Sequence, residues 1–295
     1  MGDAFLGDPT FEELKATCDR AIETGEHEKA LAIAIAMNER AEPAHFETLY
    51  EIARLTSRLG RKAESDQWLR RAVDAGFWDV DRLRNDDSFQ SVRDEERFKA
   101  VARRAWVRGY ILMLEREERA GFQKPDEVMR TLAFRPGERV ADVGAGSGYF
   151  TIPVTRAVGP SGVVWAIDIF QEMLDHIEER LAVENIENVR LQKVTREDPM
   201  LPAGGVDTIL LIDMLHYVQD RGGFARKLRA GLAPGGRVVL VDYTPKPWEE
   251  RPWGPPPEQQ VAREVVDADM KQGGLKPLVE FGFLPEQYFV VYGAA

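Results

Sequence analysis

One cysteine in 295 residues, Cys18, leaves no partner for an intramolecular disulfide and no thiolate cluster for a metal. That usage fits a reducing compartment, and Cys18 itself reads as a small residue packed between helices. Positive charge is also short: 39 Lys and Arg against 50 Asp and Glu give a net charge of −11, which argues against broad, non-specific affinity for nucleic acid or acidic membranes. No apolar run approaches the roughly 20 residues of a membrane span. Residues 1–9 carry no basic stretch followed by an apolar one, so no secretory leader is expected. The expectation is a cytoplasmic protein without a nucleic-acid or membrane partner. The apolar share of 44 % is that of a globular chain, and the length leaves room for two domains.

Two periodicities divide the chain. Residues 1–105 read as helix after helix, 106–125 as a connecting helix and linker, and 126–295 as strands alternating with helices. Thr10-Phe11-Glu12-Glu13 is a capping box that starts a first helix running to about Thr24. Gly25 breaks it, a second helix covers His27 to Arg40, Pro43 opens a third that ends near Gly60, and a fourth runs from Arg61 to Ala75. Placing Gly25 over Gly60 aligns Leu14 with Leu49, Ala30 with Ser65 and Ala34 with Leu69, an offset of about 35. This resembles two degenerate tetratricopeptide repeats. Such repeats offer a groove to a peptide or protein; a cap on the catalytic domain or a homodimer contact is the other reading. Arg103 to Arg119 reads as a connecting helix with charge of both signs.

Arg139-Val140-Ala141-Asp142-Val143 has the apolar character of a strand buried in a parallel sheet, Gly144-Ala145-Gly146-Ser147-Gly148 follows at once, and Phe150 to Val158 reads as helix. Glycines let backbone pass where a Cβ would collide. A dinucleotide fingerprint needs glycine at its sixth position, where Tyr149 stands. Asp142, two residues before the first glycine, would repel a pyrophosphate and suit a cationic ligand instead. The next strand ends in Asp168, about 20 residues beyond the last glycine, where a carboxylate can accept from both ribose hydroxyls.

The run Val140 to Phe150 resembles motif I of the class I S-adenosylmethionine (SAM)-dependent methyltransferases. The likeness continues through Ala166-Ile167-Asp168-Ile169 with Glu172-Met173-Leu174, then Asp207 to Asp213, then Leu232-Ala233-Pro234-Gly235-Gly236-Arg237. The resemblance implies a Rossmann-like α/β fold whose seven-stranded sheet has an antiparallel last strand, with SAM as cofactor. It further implies Gly144, Gly146 and Gly148 around the methionine part, Asp168 on the ribose and Met173 near the adenosine, with Ala145, Tyr149 and Ile169 as further cofactor-binding candidates. Val194-Thr195-Arg196-Glu197-Asp198 matches the adenine-contacting segment, with Thr195 where relatives carry Asp, so Thr195, Arg196 and Glu197 join the candidate set. Closer still, Gln123-Lys124-Pro125, Pro255-Pro256-Pro257-Glu258 and Phe283-Leu284-Pro285-Glu286-Gln287-Tyr288-Phe289 resemble stretches of a bacterial methyltransferase subgroup, whose members often have His where this chain has Gln259.

Methyl transfer is an in-line displacement that needs nucleophile and methyl carbon held in line, and an O–H or N–H acceptor can also need a base. In this fold the end of the fourth strand faces the methyl group, which brings in Asp213-Met214-Leu215-His216-Tyr217. His216 is the candidate base, with a structural hydrogen bond as its other reading. Asp213 is a candidate for the cofactor's methionine part or for orienting substrate, or else a helix N-cap, and Tyr217 a pocket wall. Asp207, Asp213 and Asp242 are spaced unlike a compact metal cluster, and no metal is expected. The stiff stretch from Tyr243 to Pro257, with Trp248 and Trp253, falls where ligands bind in open α/β sheets. The acceptor, a small molecule or a protein, is not specified. A non-catalytic SAM-binding adaptor is the alternative function.

Overall fold

The computed structural model describes residues 10–40 and 45–295, and the chain divides into two compact units, Met1–Leu112 and Met113–Ala295. In the first, α1 (Phe11–Glu23), α2 (His27–Arg40), α3 (Phe46–Arg58) and α4 (Lys62–Asp74) pack in sequence order. The capping box is present: the Thr10 hydroxyl accepts from the Glu13 amide and the Glu13 carboxylate from the Thr10 amide. Gly25 and Gly60 both stand at φ 74°, a left-handed conformation that glycine adopts without a Cβ penalty. The Glu26 amide donates to the Ala21 carbonyl, and about 35 residues on the Arg61 amide donates to Thr56 in the same way. Ala30 with Ser65 and Ala34 with Leu69 are buried as pairs. Pro43 lies outside the described residues, and α3 begins at Phe46.

After α5 (Val80–Asn85), α6 (Glu96–Leu114) carries the chain into the second unit. The single helix expected over Arg103 to Arg119 is instead interrupted. It resumes as α7 (Glu118–Gln123) and α8 (Pro125–Leu132), with Lys124 between them at φ 44°. Pro125 has no amide to donate, so it starts a new helix instead of extending the old one.

The second unit runs β1 (Arg139–Val143), α9 (Thr151–Val158), β2 (Val163–Asp168), α10 (Gln171–Glu184), β3 (Val189–Lys193), β4 (Val206–Ile212), α11 (Arg221–Gly231), β5 (Leu232–Tyr243), α12 (Arg263–Gln272), β6 (Leu275–Phe281) and β7 (Gln287–Ala294). The sheet order is β3-β2-β1-β4-β5-β7-β6, with β7 antiparallel to both neighbours. Successive side chains face opposite layers. Ala141, Val143, Ile209 and Leu211 pack with Phe224, Leu228 and Met270, while Val140, Leu210 and Ile212 pack with Val128, Val154 and Val158. Burial on both faces is why these strands read as continuous apolar runs. Strand order reverses between β1 and β4, which opens a crevice at their carboxyl ends. No helix among the described residues is long and apolar enough to cross a membrane.

Candidate functional site

Gly144, Gly146 and Gly148 all have positive φ, at 78°, 54° and 81°. A Cβ on Gly144 would come within 2.8 Å of the Met214 Cβ, and one on Gly148 within 3.0 Å of Ile177 Cγ1. The glycines are therefore required by the protein's own packing as well as by any ligand. At the end of β2, Asp168 accepts from the Gly146 amide at 2.9 Å with one oxygen and from the Phe170 amide at 3.0 Å with the other. Each oxygen keeps a lone pair for a ribose hydroxyl. Burial raises the pKa of Asp168. Asp142 accepts from the Thr151 hydroxyl at 2.6 Å, and burial lifts its pKa to about 6.

The remaining cofactor candidates are spread more widely. Ala145 is buried, Met173 is fully buried in the first turn of α10, and Ile169 and Tyr149 are half-buried. Thr195, Arg196 and Glu197 form an exposed turn closed by the Thr195–Asp198 bridge. Lys227 donates to the Glu197 carbonyl at 2.7 Å and pairs with Asp198 at 3.2 Å, so that carbonyl and that carboxylate already have a partner. Gln259 is exposed.

Asp213 does not cap the turn that follows it, as one reading of the sequence held; Met214 occupies that position. At φ 55° its carboxylate turns back and accepts from Gln123 Nε2 at 2.8 Å and from Gln287 Nε2. Arg119 Nη2 stands 3.5 Å away. Burial raises its pKa to about 6, against the lowering pull of Arg119. Arg119 is itself buried, stacked 4.2 Å over the Tyr149 ring and donating to the Leu114 carbonyl at 2.7 Å. Residues 114–123 thus lie across both the glycine loop and the end of β4.

His216 is buried, and its Nδ1 meets Asp242 Oδ1 at 2.8 Å. The backbone amides of His216 and Tyr243 also donate to Asp242, at 3.1 and 2.8 Å. A carboxylate that already accepts from two backbone amides is an acceptor toward Nδ1 as well, which leaves Nε2 as the ring nitrogen available to another partner. That Nε2 is buried without a partner. Tyr217 is 42 % exposed, its ring 4.1 Å from the imidazole. Phe122, Tyr243 and Trp253 form an aromatic cluster beside it, with centroids 4.5 Å apart for Phe122 and Trp253 and 6.2 Å for His216 and Tyr243. Trp248 stands 47 % exposed. Asp207 sits at the other end of β4, bound to Arg139, so the three aspartates do not converge.

Sequence reasoning missed Arg119, Gln123, Tyr243 and Gln287 as site residues, and it missed Asp242 as the partner of His216. Gln123 and Gln287 each lie in a stretch already quoted for its family likeness, and that was the available signal.

The donor set fits SAM. Asp142 and Asp213 are buried carboxylates with raised pKa values, a setting that welcomes an ammonium and a sulfonium and disfavours a pyrophosphate. Residues 114–266 match the model of a methyltransferase domain. The chain is 30 % identical over 166 residues to a ubiquinone/menaquinone biosynthesis C-methyltransferase of Burkholderia cenocepacia, covering 55 % of this chain and 67 % of that one. It is 32 % identical over 134 residues to the nocamycin O-methyltransferase of Saccharothrix syringae, covering 45 % of this chain and 47 % of that one. Against the latter it therefore spans about half the relative's length. A SAM-dependent methyltransferase of Aquifex aeolicus has the same fold, with a TM-score of 0.58, 24 % identity and coverage of 63 % of this chain and 98 % of that one. SAM is the cofactor of this family. On the match over residues 114–266, the chain belongs to the methyltransferase domain family.

Proposed function

We propose that this protein transfers a methyl group from SAM to an acceptor O–H or N–H, with His216 as the base. The observation that carries the reading is the buried His216–Asp242 pair, 2.8 Å apart, with Nε2 left free. SAM, when bound, supplies an electrophilic methyl on its sulfonium. Asp168 would hold the ribose hydroxyls, and Asp142 and Asp213 would face the positive charges. Gln123, Gln287 and Arg119 fix the Asp213 carboxylate so that it cannot swing toward the acceptor. Nε2 takes the acceptor's proton, and Asp242 stabilises the imidazolium that results. Tyr217 borders this path at the surface.

The matching turns of α1–α2 and α3–α4 support reading the first unit as tetratricopeptide-like, a surface for a peptide or protein. Incubation with methyl-labelled SAM and a cell extract tests the function. Label should enter an acceptor fraction with the wild type and not with His216→Asn, while both bind S-adenosylhomocysteine in calorimetry. Tight binding without transfer to any fraction would favour the adaptor.

A further inference from the structure

Among the described residues, the buried side-chain polar atoms without a hydrogen bond in the second unit include His216 Nε2, Arg251 Nε, Arg251 Nη2 and Gln287 Oε1, while Ser147 has the Glu115 carboxylate beside it. Ser147 lies in the glycine loop, and the others follow the carboxyl ends of β4 and β5 or begin β7. Native folds leave few buried polar atoms unsatisfied, and a ligand is one physical reason for such a cluster. The reaction above accounts for His216. It leaves Arg251 unexplained.

Arg251 is 1 % exposed. Its Nη1 donates to the Thr244 carbonyl at 2.9 Å and to the Glu286 carbonyl at 3.3 Å, which clips the Pro/Trp loop to the start of β7. The Glu286 carboxylate stands 3.8 Å from that same nitrogen and is engaged more closely by Lys246 Nζ, at 2.7 Å. Nε and Nη2 form a separate edge of the guanidinium, the one that grips a carboxylate through two parallel hydrogen bonds. That whole edge is unbonded. The guanidinium carbon lies 4.9 Å from the Tyr243 ring centre and 5.9 Å from that of Trp253, and the His216 ring centre is 6.2 Å from that of Tyr243. Arg251 and His216 therefore border one aromatic cluster, and each keeps nitrogen atoms without a partner.

We infer that Arg251 recognises the acceptor and that the acceptor is an aromatic acid with an ionisable hydroxyl. Its carboxylate would meet the Nε/Nη2 edge, its ring would lie against Tyr243 and Trp253, and its hydroxyl would reach His216. The inference rests on the methyl-transfer reading and names the substrate class for that site.

The test is calorimetry on the full chain saturated with S-adenosylhomocysteine, titrated with 2-, 3- and 4-hydroxybenzoate and with the three matching hydroxybenzamides. At least one hydroxybenzoate should bind about tenfold or more tightly than its amide, as expected for loss of one charge-assisted fork. Arg251→Gln should erase that preference and Arg251→Lys should restore part of it, with S-adenosylhomocysteine affinity and melting temperature reporting that each variant is folded. If Arg251→Gln does not fold, the wild-type preference and its reduction in Arg251→Lys decide the matter. No preference for any carboxylate in the wild type, or an undiminished one in folded Arg251→Gln, overturns the inference alone. A chain that fails to bind S-adenosylhomocysteine overturns the methyl-transfer reading, and this inference with it.

Discussion

At the amino end of β4, Asp207 takes hydrogen bonds from the Arg139 amide, Nε and Nη2 at 3.0, 3.0 and 2.8 Å, and the Arg139 hydrogen bonds hold its pKa below the usual carboxylate range. Six residues further along, just past the same strand, Asp213 is buried with its pKa raised to about 6 and its backbone in a left-handed conformation. The contrast extends to their neighbours. Near the amino end Glu138, Thr208 and Arg237 close a bonded network, whereas His216, Arg251 and Gln287 at the carboxyl end keep unpartnered atoms. Among the described residues, the polar groups at one end of the sheet are paired within the protein, and several at the other keep an unbonded atom.

The largest expected break in that contrast is at the base. His216→Asn should lower methyl transfer by about 10²- to 10⁴-fold with S-adenosylhomocysteine affinity unchanged; single-turnover rates on the labelled acceptor measure it, and an undiminished rate removes His216 from the mechanism. Asp242→Asn should act in the same direction, since an amide no longer fixes the Nδ1–H tautomer.

Asp213 gives the next effect. A pKa raised in the folded state means that folded chains keep a proton which unfolded chains have released, so stability falls as pH rises from about 4 to about 6 and then levels off. Asp213→Asn removes that penalty, and turning the Gln287 amide would offer its free Oε1 to the new donor. Without ligand, this variant should be more stable than the wild type at pH 7.5 by on the order of 2 kcal/mol, and the gain should shrink toward pH 4. Equal denaturation midpoints at both pH values would show that burial does not penalise this carboxylate.

Two smaller effects sharpen the comparison. Asp168→Ala should weaken S-adenosylhomocysteine about tenfold in calorimetry, because the ribose loses its acceptor. Asp207→Ala should leave that affinity untouched and cost about 1 kcal/mol of stability in denaturant, as expected for a half-exposed ion pair with one added amide bond. A loss of cofactor affinity in Asp207→Ala would blur the division between the two ends.

What was legible in the sequence was local. The glycine run, Asp168 and the α1 capping box announce themselves because their partners lie within one strand, turn and helix. The Asp213 clamp does not, because Arg119, Gln123 and Gln287 come from both flanks of the catalytic sequence and meet only when β7 inserts beside β5. The His216–Asp242 pair was half visible. The register that sets Ile212 beside Val241 brings the residues after β4 next to Asp242, but periodicity alone does not give strand order. Asp213 looked like a cap because an aspartate before a short helical turn usually is one; two glutamine amides and a guanidinium compete for it here.

Residues 114–123 also bear on where the catalytic half can be cut. Pro125 looks like a natural first residue, a helix-opening proline just before a complete α/β sheet. A protein excised there would carry every strand and the whole glycine loop, yet it would expose Asp213 with only Gln287 in place and leave Tyr149 without its guanidinium cover. A transplantable methyltransferase domain therefore starts ahead of Leu114, inside the last turn of α6, so its genetic boundary does not coincide with the edge of its sheet.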